Sequence, residues 1–220
     1  MGKVGSSSIY AALEQSESFD AYQTHNFLSR AEPKDMVQHH AHHVVNTLIP
    51  EGRSIRFISG VRDPMARNIS AFFQNLPAEV TTIDQALERF EIDVQQEVLV
   101  TRNWFDQHVR SVLGINVFER EADFSRGGHV AAGNFLILRL EDPQEAREQA
   151  VARFLDLDSF SMPRVNVGSE KPYSALYAEF KKRFRPTKAL VEATFDSQYV
   201  NHFYPESRDA MKARWLERSI

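Results

Sequence analysis

The chain has 220 residues, no cysteine, and 26 Lys plus Arg against 30 Asp plus Glu, for a formal net charge of −4 with neutral histidines. That length suits one full-sized domain over 1–220, and the lack of cysteine excludes a disulfide framework and thiolate metal sites. The charge balance supplies no global basic field for nucleic acid, and no run is apolar enough to span a bilayer or to read as a signal peptide, so a soluble, cytoplasmic protein is expected.

The chain opens Met1-Gly-Lys-Val-Gly-Ser-Ser-Ser8, followed by an apolar run that predicts a helix from Ser6 to about Ser16. Glycine allows close approach of backbone to a ligand, serines cap a helix, and the first helical turn carries unpaired N–H groups and the positive dipole end. Together these favour a phosphate or sulfate, with Lys3 adding a mobile positive charge. The Walker A spacing places its lysine after the second glycine; here Lys3 precedes Gly5. A flexible tail leading into a capped helix is the alternative reading of this stretch taken alone.

Phe19–Thr24 alternates and predicts a short strand, with His25 just beyond it. Pro33 opens a helix through about Leu48, and Pro50-Glu-Gly52 ends it. Ser54–Val61 is the clearest strand. Arg62-Asp-Pro64 turns the chain, and Met65–Gln74 reads as helix. Helical periodicity follows over 81–90 and 94–113, with Gly114 as the stop. Ile115–Phe118 and Asn134–Leu140 read as strands, separated by a turn at 124–129. Helices are expected at 143–155, 172–184, 186–195 and 205–216, the last three each opened by a proline; 159–171 is irregular.

Alternating strands and helices predict an α/β three-layer sandwich, a mostly parallel sheet flanked by helices. Ligands in such folds sit beyond the carboxyl ends of strands, which is where His25, Arg62 and the opening loop fall. A phosphate loop of this class follows a buried strand, and the strand that would feed Lys3 is missing from the sequence. Either the chain is truncated or that strand is supplied otherwise.

The second motif is Val61-Arg-Asp-Pro-Met-Ala-Arg-Asn-Ile-Ser70. A strand delivers Arg62, and Ser70 follows about two helical turns later, so a guanidinium fork and a hydroxyl could grip one phosphate. The alternative is an Arg–Asp turn pair with an ordinary helix serine. Lys-Val-Gly-Ser-Ser-Ser followed by Val-Arg-Asp-Pro-x-x-Arg-x-x-Ser resembles the sulfotransferases that use 3′-phosphoadenosine 5′-phosphosulfate (PAPS), and, less specifically, Trp104-Phe105 and His202-Phe-Tyr-Pro-Glu206 look like features of their bacterial carbohydrate relatives, including the capsular polysaccharide synthesis type. The resemblance implies a P-loop-like fold. It implies that Lys3, Gly5, Ser6, Ser7 and Ser8 line the 5′-phosphosulfate and that Arg62 and Ser70 bind the 3′-phosphate. Lys171, in Asn166-Val-Gly-Ser-Glu-Lys-Pro-Tyr173, matches a late loop that closes over the nucleotide.

Sulfuryl transfer is an in-line displacement driven by positioning and charge stabilisation. Lys3 is the expected stabiliser of the leaving oxygen. His25 is the expected base for a carbohydrate hydroxyl or amine, since its ordinary pKa suits neutral pH; Glu32, His40, His43 and His108 are alternatives. His39-His-Ala-His-His43 invites a metal, but the reaction needs none and a helix face near an anion explains the run as well, so no metal is expected. Trp104, Phe105 and His108 read as core, and Arg102 and Arg110 as solvated charges. The competing readings are a P-loop-like nucleotide kinase and a truncated, non-catalytic module that binds an anionic glycan or a partner.

Overall fold

The computed structural model describes residues 2, 4–27, 32–163 and 172–219. Lys3 and Lys171 lie outside the described residues. In chain order the elements begin with α1 (Ser6–Leu13), α2 (Met36–His43) with a π-helical turn at Val44–Leu48, β1 (Phe57–Val61), α3 (Pro64–Gln74) and α4 (Ile83–Trp104). A second π-helical turn at Phe105–Arg110 and the short α5 (Ser111–Leu113) prolong α4; β2 (His129–Ala132), β3 (Phe135–Arg139) and α6 (Gln144–Leu155) follow. The chain closes with α7 (Ser174–Arg183), α8 (Lys188–Phe195), α9 (Gln198–Phe203) and α10 (Arg208–Leu216).

These elements form two compact units, residues 1–62 with 103–165, and residues 63–102 with 166–220. The first unit holds the sheet, a mixed ribbon in the order β1-β3-β2. β1 runs parallel to β3, with Phe57 opposite Phe135 and Val61 opposite Arg139, and β2 runs antiparallel to β3. The sheet is thus smaller than the sequence predicts and parallel only on one side. Ile9 of α1 and Ala150, Val151 and Leu155 of α6 bury against Leu136 and Leu138 of β3.

Several expected elements differ. Phe19–Thr24 joins no ladder, and Ile115–Phe118 is not a strand. Period-2 patterning selects an extended backbone; a strand also needs a partner edge, and neither segment has one. β2 starts at the last residue of the expected turn and runs through residues to which the sequence assigns no element; its hairpin to β3 turns at Gly133-Asn134. β1 begins at Phe57 rather than Ser54, since its first ladder bond is from Phe57 N–H to Asn134 O, 2.8 Å.

The second unit is helical around an aromatic core. Phe180 meets Phe72, Phe73, Phe90 and Phe184 at centroid distances of 5.1–6.1 Å. The break expected near 91–93 is absent: Phe90, Val94 and Val98 are buried at a spacing of four, which carries one helix through the polar residues between them. α9 was not foreseen; the Ser197 hydroxyl caps it by accepting from Val200 N–H, the usual way a helix start is marked without a proline.

Candidate functional site

The opening loop is built onto the carboxyl end of the sheet. Gly5 has φ +82°, a left-handed conformation that only glycine adopts without strain, and leads into α1. A β-carbon on Gly5 would stand 2.9 Å from Leu140 Cδ1. One on Gly60 would overlap the Val4 carbonyl oxygen. Val4 is buried. Two glycines thus let the loop lie directly on the ends of β1 and β3, and Gly60 is two residues before Arg62. The loop and the strand that delivers Arg62 are brought together within the first unit.

Behind the loop, Gln23 carries the serines. Its amide Nε2 donates to Ser7 Oγ at 3.1 Å and to Ser6 Oγ at 3.4 Å. With both oxygens accepting from Gln23, the two hydroxyl hydrogens remain to donate elsewhere. His40 Nδ1 lies 3.0 Å from Gln23 N and 3.3 Å from Gln23 O, so it accepts from the Gln23 N–H in one neutral tautomer and donates to the Gln23 carbonyl in the other. Tyr10 and Tyr22 pack on the His40 ring, and Tyr22 also meets His43. The histidine run therefore splits between an aromatic cluster and helix-surface bonds, and among the described residues no group of three His, Asp or Glu side chains could hold a metal ion.

His25 is exposed at a bend that follows Phe19–Thr24. Its backbone carbonyl accepts from Trp104 Nε1 at 3.0 Å. Trp104, Phe105 and His108 are buried, as their core reading requires. Burial lowers the His108 pKa, and its Nδ1 has no hydrogen-bond partner.

In the second unit, Asp63 caps α3, accepting from Ala66 N–H at 3.0 Å, and its other oxygen accepts from Arg214 at 2.7 Å. Arg67, buried, pairs with Glu97 of α4 and also donates to Asn68 Oδ1 at 3.3 Å. Asn68 Oδ1 accepts a second bond, from Thr101 Oγ1 at 2.9 Å. The charged residues between Arg62 and Ser70 are therefore spent on fixing α3, whose exposed side carries the half-buried Ser70. Gln23, Gly60, Arg67, Glu97 and Arg214 carry no mark in the sequence of the tasks they have here. Only Asp63, directly before Pro64 at a helix start, carries a local signal for its task.

A family model described as "putative capsular polysaccharide synthesis protein" (NKWYS) matches residues 80–205, more than half of the chain, and the chain belongs to that family. No curated protein and no solved structure matches it. The matched segment contains neither the opening loop nor Arg62 and Ser70, so family membership assigns these residues no role. No described helix is long and apolar enough to cross a membrane.

Proposed function

We propose that the chain is a PAPS-dependent sulfotransferase of capsular polysaccharide synthesis, transferring a sulfuryl group to a hydroxyl or amino group of a carbohydrate. The observation that carries this reading is the seating of Val4, just ahead of the Gly5 turn, on Gly60, which sets a serine-lined helix start beside the strand end that leads to Arg62. The α1 donors would face the 5′-phosphosulfate; that Arg62 and Ser70 take the 3′-phosphate rests on the resemblance.

In the proposed reaction the acceptor oxygen or nitrogen attacks sulfur in line. The bond from sulfur to the 5′-phosphate oxygen breaks, and that oxygen leaves on 3′,5′-ADP. Ser6, Ser7 and the first N–H groups of α1 stabilise the charge that develops there. Lys3 joins them on the strength of the resemblance. His25 takes the acceptor proton, at a bend whose position the Trp104 bond fixes. Lys171 closes the nucleotide site by resemblance alone.

The test is a thermal melt with 3′,5′-ADP, joined to transfer of labelled sulfuryl from PAPS to capsular polysaccharide. The nucleotide should raise Tm, and Arg62→Ala should remove most of that rise. A magnesium-dependent response to ATP, with none to 3′,5′-ADP, would replace this reading by a kinase.

A further inference from the structure

In the second unit, Lys181-Lys-Arg-Phe-Arg185 runs out of the end of α7 and puts four cations into five positions. Arg183 is neutralised, by Asp84 at 2.6 Å and Glu179 at 3.7 Å. Arg185 is not. Its Nη1 donates to the backbone carbonyls of Lys182, at 2.7 Å, and Phe184, at 3.0 Å. The Phe184 carbonyl also accepts from Arg218 Nη2, at 3.4 Å, so one oxygen holds two guanidinium groups together. Arg218 donates in addition to the Lys181 carbonyl and lies over the Trp215 ring, 5.1 Å from its centroid. Arg214 stands four positions before Arg218, about one helical turn. It bonds Asp63 through Nη2 while 62% of its side chain stays exposed.

A cation at the carboxyl end of a helix is favoured by the dipole, which accounts for one guanidinium on the α7 carbonyls. It does not account for three arginines in one place. Like charges a helical turn apart repel. Burial, and then the charges of Arg185 and Arg214, lower the Arg218 pKa. Among the described residues neither Arg185 nor Arg218 has a carboxylate partner; the ion pairs of this end belong to Arg183 and Arg214. Each of Arg185, Arg214 and Arg218 bonds through a single Nη. A guanidinium has five donors, so Nε and the second Nη of each are left to donate. That edge is the fork that matches the two oxygens of a carboxylate or a sulfate.

We propose that Arg185, Arg214 and Arg218, with Lys181 and Lys182 on the same helix end, form a site for an anionic polysaccharide that carries carboxylate or sulfate groups on successive sugars. Charge selects this occupant. One small anion would offset one guanidinium, whereas several cations in a row match a polymer with repeated anionic groups. Lys181, Lys182 and Arg185 lie within the segment that the capsular polysaccharide family covers. A nucleic acid fits less well. The chain's net charge of −4 provides no basic field to draw one in. The ring nearest the patch, Tyr177, has one face covered by Lys181 Nζ, 4.5 Å from its centroid, where a base would stack. None of the site's residues is assigned to the nucleotide, so the inference goes beyond sulfuryl transfer and applies to an acceptor polymer or a sulfated product alike.

The test is calorimetric titration of the full chain, without nucleotide, with alginate as the carboxylated polymer and dextran sulfate as the sulfated one, over a range of salt. At least one of the two should bind and raise Tm, and neutral dextran should do neither. Arg185→Gln with Arg218→Gln keeps an amide donor for the α7 carbonyls and removes two charges. It should weaken binding about tenfold or more and cut the salt slope by roughly one to two. Without polymer it should melt no lower than the parent, which a purely structural cap would not allow. Lys182→Gln is the second variant, since the Lys182 side chain makes no bond among the described residues; it should weaken binding about threefold. Affinity within twofold of the parent in both variants would overturn the proposal. So would an equal response to inorganic sulfate at the same anion concentration, or tighter binding of duplex DNA that depends on Arg185 and Arg218. A preserved response to 3′,5′-ADP with no polymer bound would remove this site and leave the sulfuryl-transfer reading standing.

Discussion

The indole Nε1–H of Trp104 donates to the backbone carbonyl of His25, 3.0 Å away, and so ties a buried helix residue to an exposed bend. Trp104→Phe keeps the ring and removes the donor. It should destabilise the chain by about 1 kcal/mol in urea denaturation. If His25 is the base, the variant should also lower the rate of sulfuryl transfer while leaving the affinity for 3′,5′-ADP within about twofold, as His25→Ala should do more severely.

Gly60→Ala places a β-carbon on the Val4 carbonyl. Overpacking against backbone costs about 1–3 kcal/mol, because the opening loop must lift. The expected result is a lower urea midpoint together with a weaker response to 3′,5′-ADP. A substitution such as Gly52→Ala gives the contrast: Gly52 also has positive φ but nothing within 4 Å of a β-carbon, so it should lose stability without losing the nucleotide response.

Glu97→Ala strands the buried Arg67 guanidinium. Removing one partner of a buried ion pair costs about 3–5 kcal/mol; with Glu97 partly exposed the lower end applies, about 3 kcal/mol. Replacing both, Arg67→Met with Glu97→Leu, should recover most of the loss. Chemical denaturation of the four forms measures the coupling. If the pair serves to fix α3, the double variant should still bind 3′,5′-ADP through Arg62 and Ser70.

Burial lowers the pKa of His108 and of His129 below the ordinary 6.5. Between each depressed value and 6.5 the unfolded chain binds more protons than the folded one. Stability should therefore be full above about pH 6.5 and fall as the pH drops through that window, with a slope of up to about 1.4 kcal/mol per pH unit per group. Urea midpoints measured from pH 7.5 downwards test this, and His108→Gln should flatten the curve by its share.

If Arg62 holds the 3′-phosphate, Arg62→Ala should remove charge-assisted bonds worth about 1.5–3 kcal/mol, a loss of about tenfold to hundredfold in affinity for 3′,5′-ADP by calorimetry. Ser70→Ala should cost about tenfold or less. Both variants should leave binding of 5′-AMP, which lacks the 3′-phosphate, unchanged.

Much of the frame that holds the site is legible in the residues. The run from Ser54 to Gln74 announces a strand, a turn and a helix because Ile55, Phe57 and Val61 are followed by Asp63-Pro64, an N-cap and a first-turn proline. β3 and α6 are equally plain, since an apolar run and a 3.6-residue period leave few alternatives. What the sequence hides depends on distant partners. Phe19–Thr24 has the pattern of a strand and no edge to pair with. Glu97 meets Arg67 thirty positions away, and Gln23 reaches Ser6 and Ser7 across a turn; no local pattern marks a residue whose task is to hold another. The histidine run reads as a metal site or a solvated face, and only packing shows that Tyr10 and Tyr22 claim His40.

The π-helical turn at Phe105–Arg110 takes one more residue per turn than the helix that leads into it. Deleting any single position from that stretch would let the backbone relax into regular winding and rotate everything after it by about 100°. His108 and Val109 would leave their buried seats, and the Phe105–Phe118 edge contact, at 6.0 Å, would be lost. A kindred protein with a one-residue gap at this point would have regular helix there instead, and the gap would date the insertion that made the wider turn.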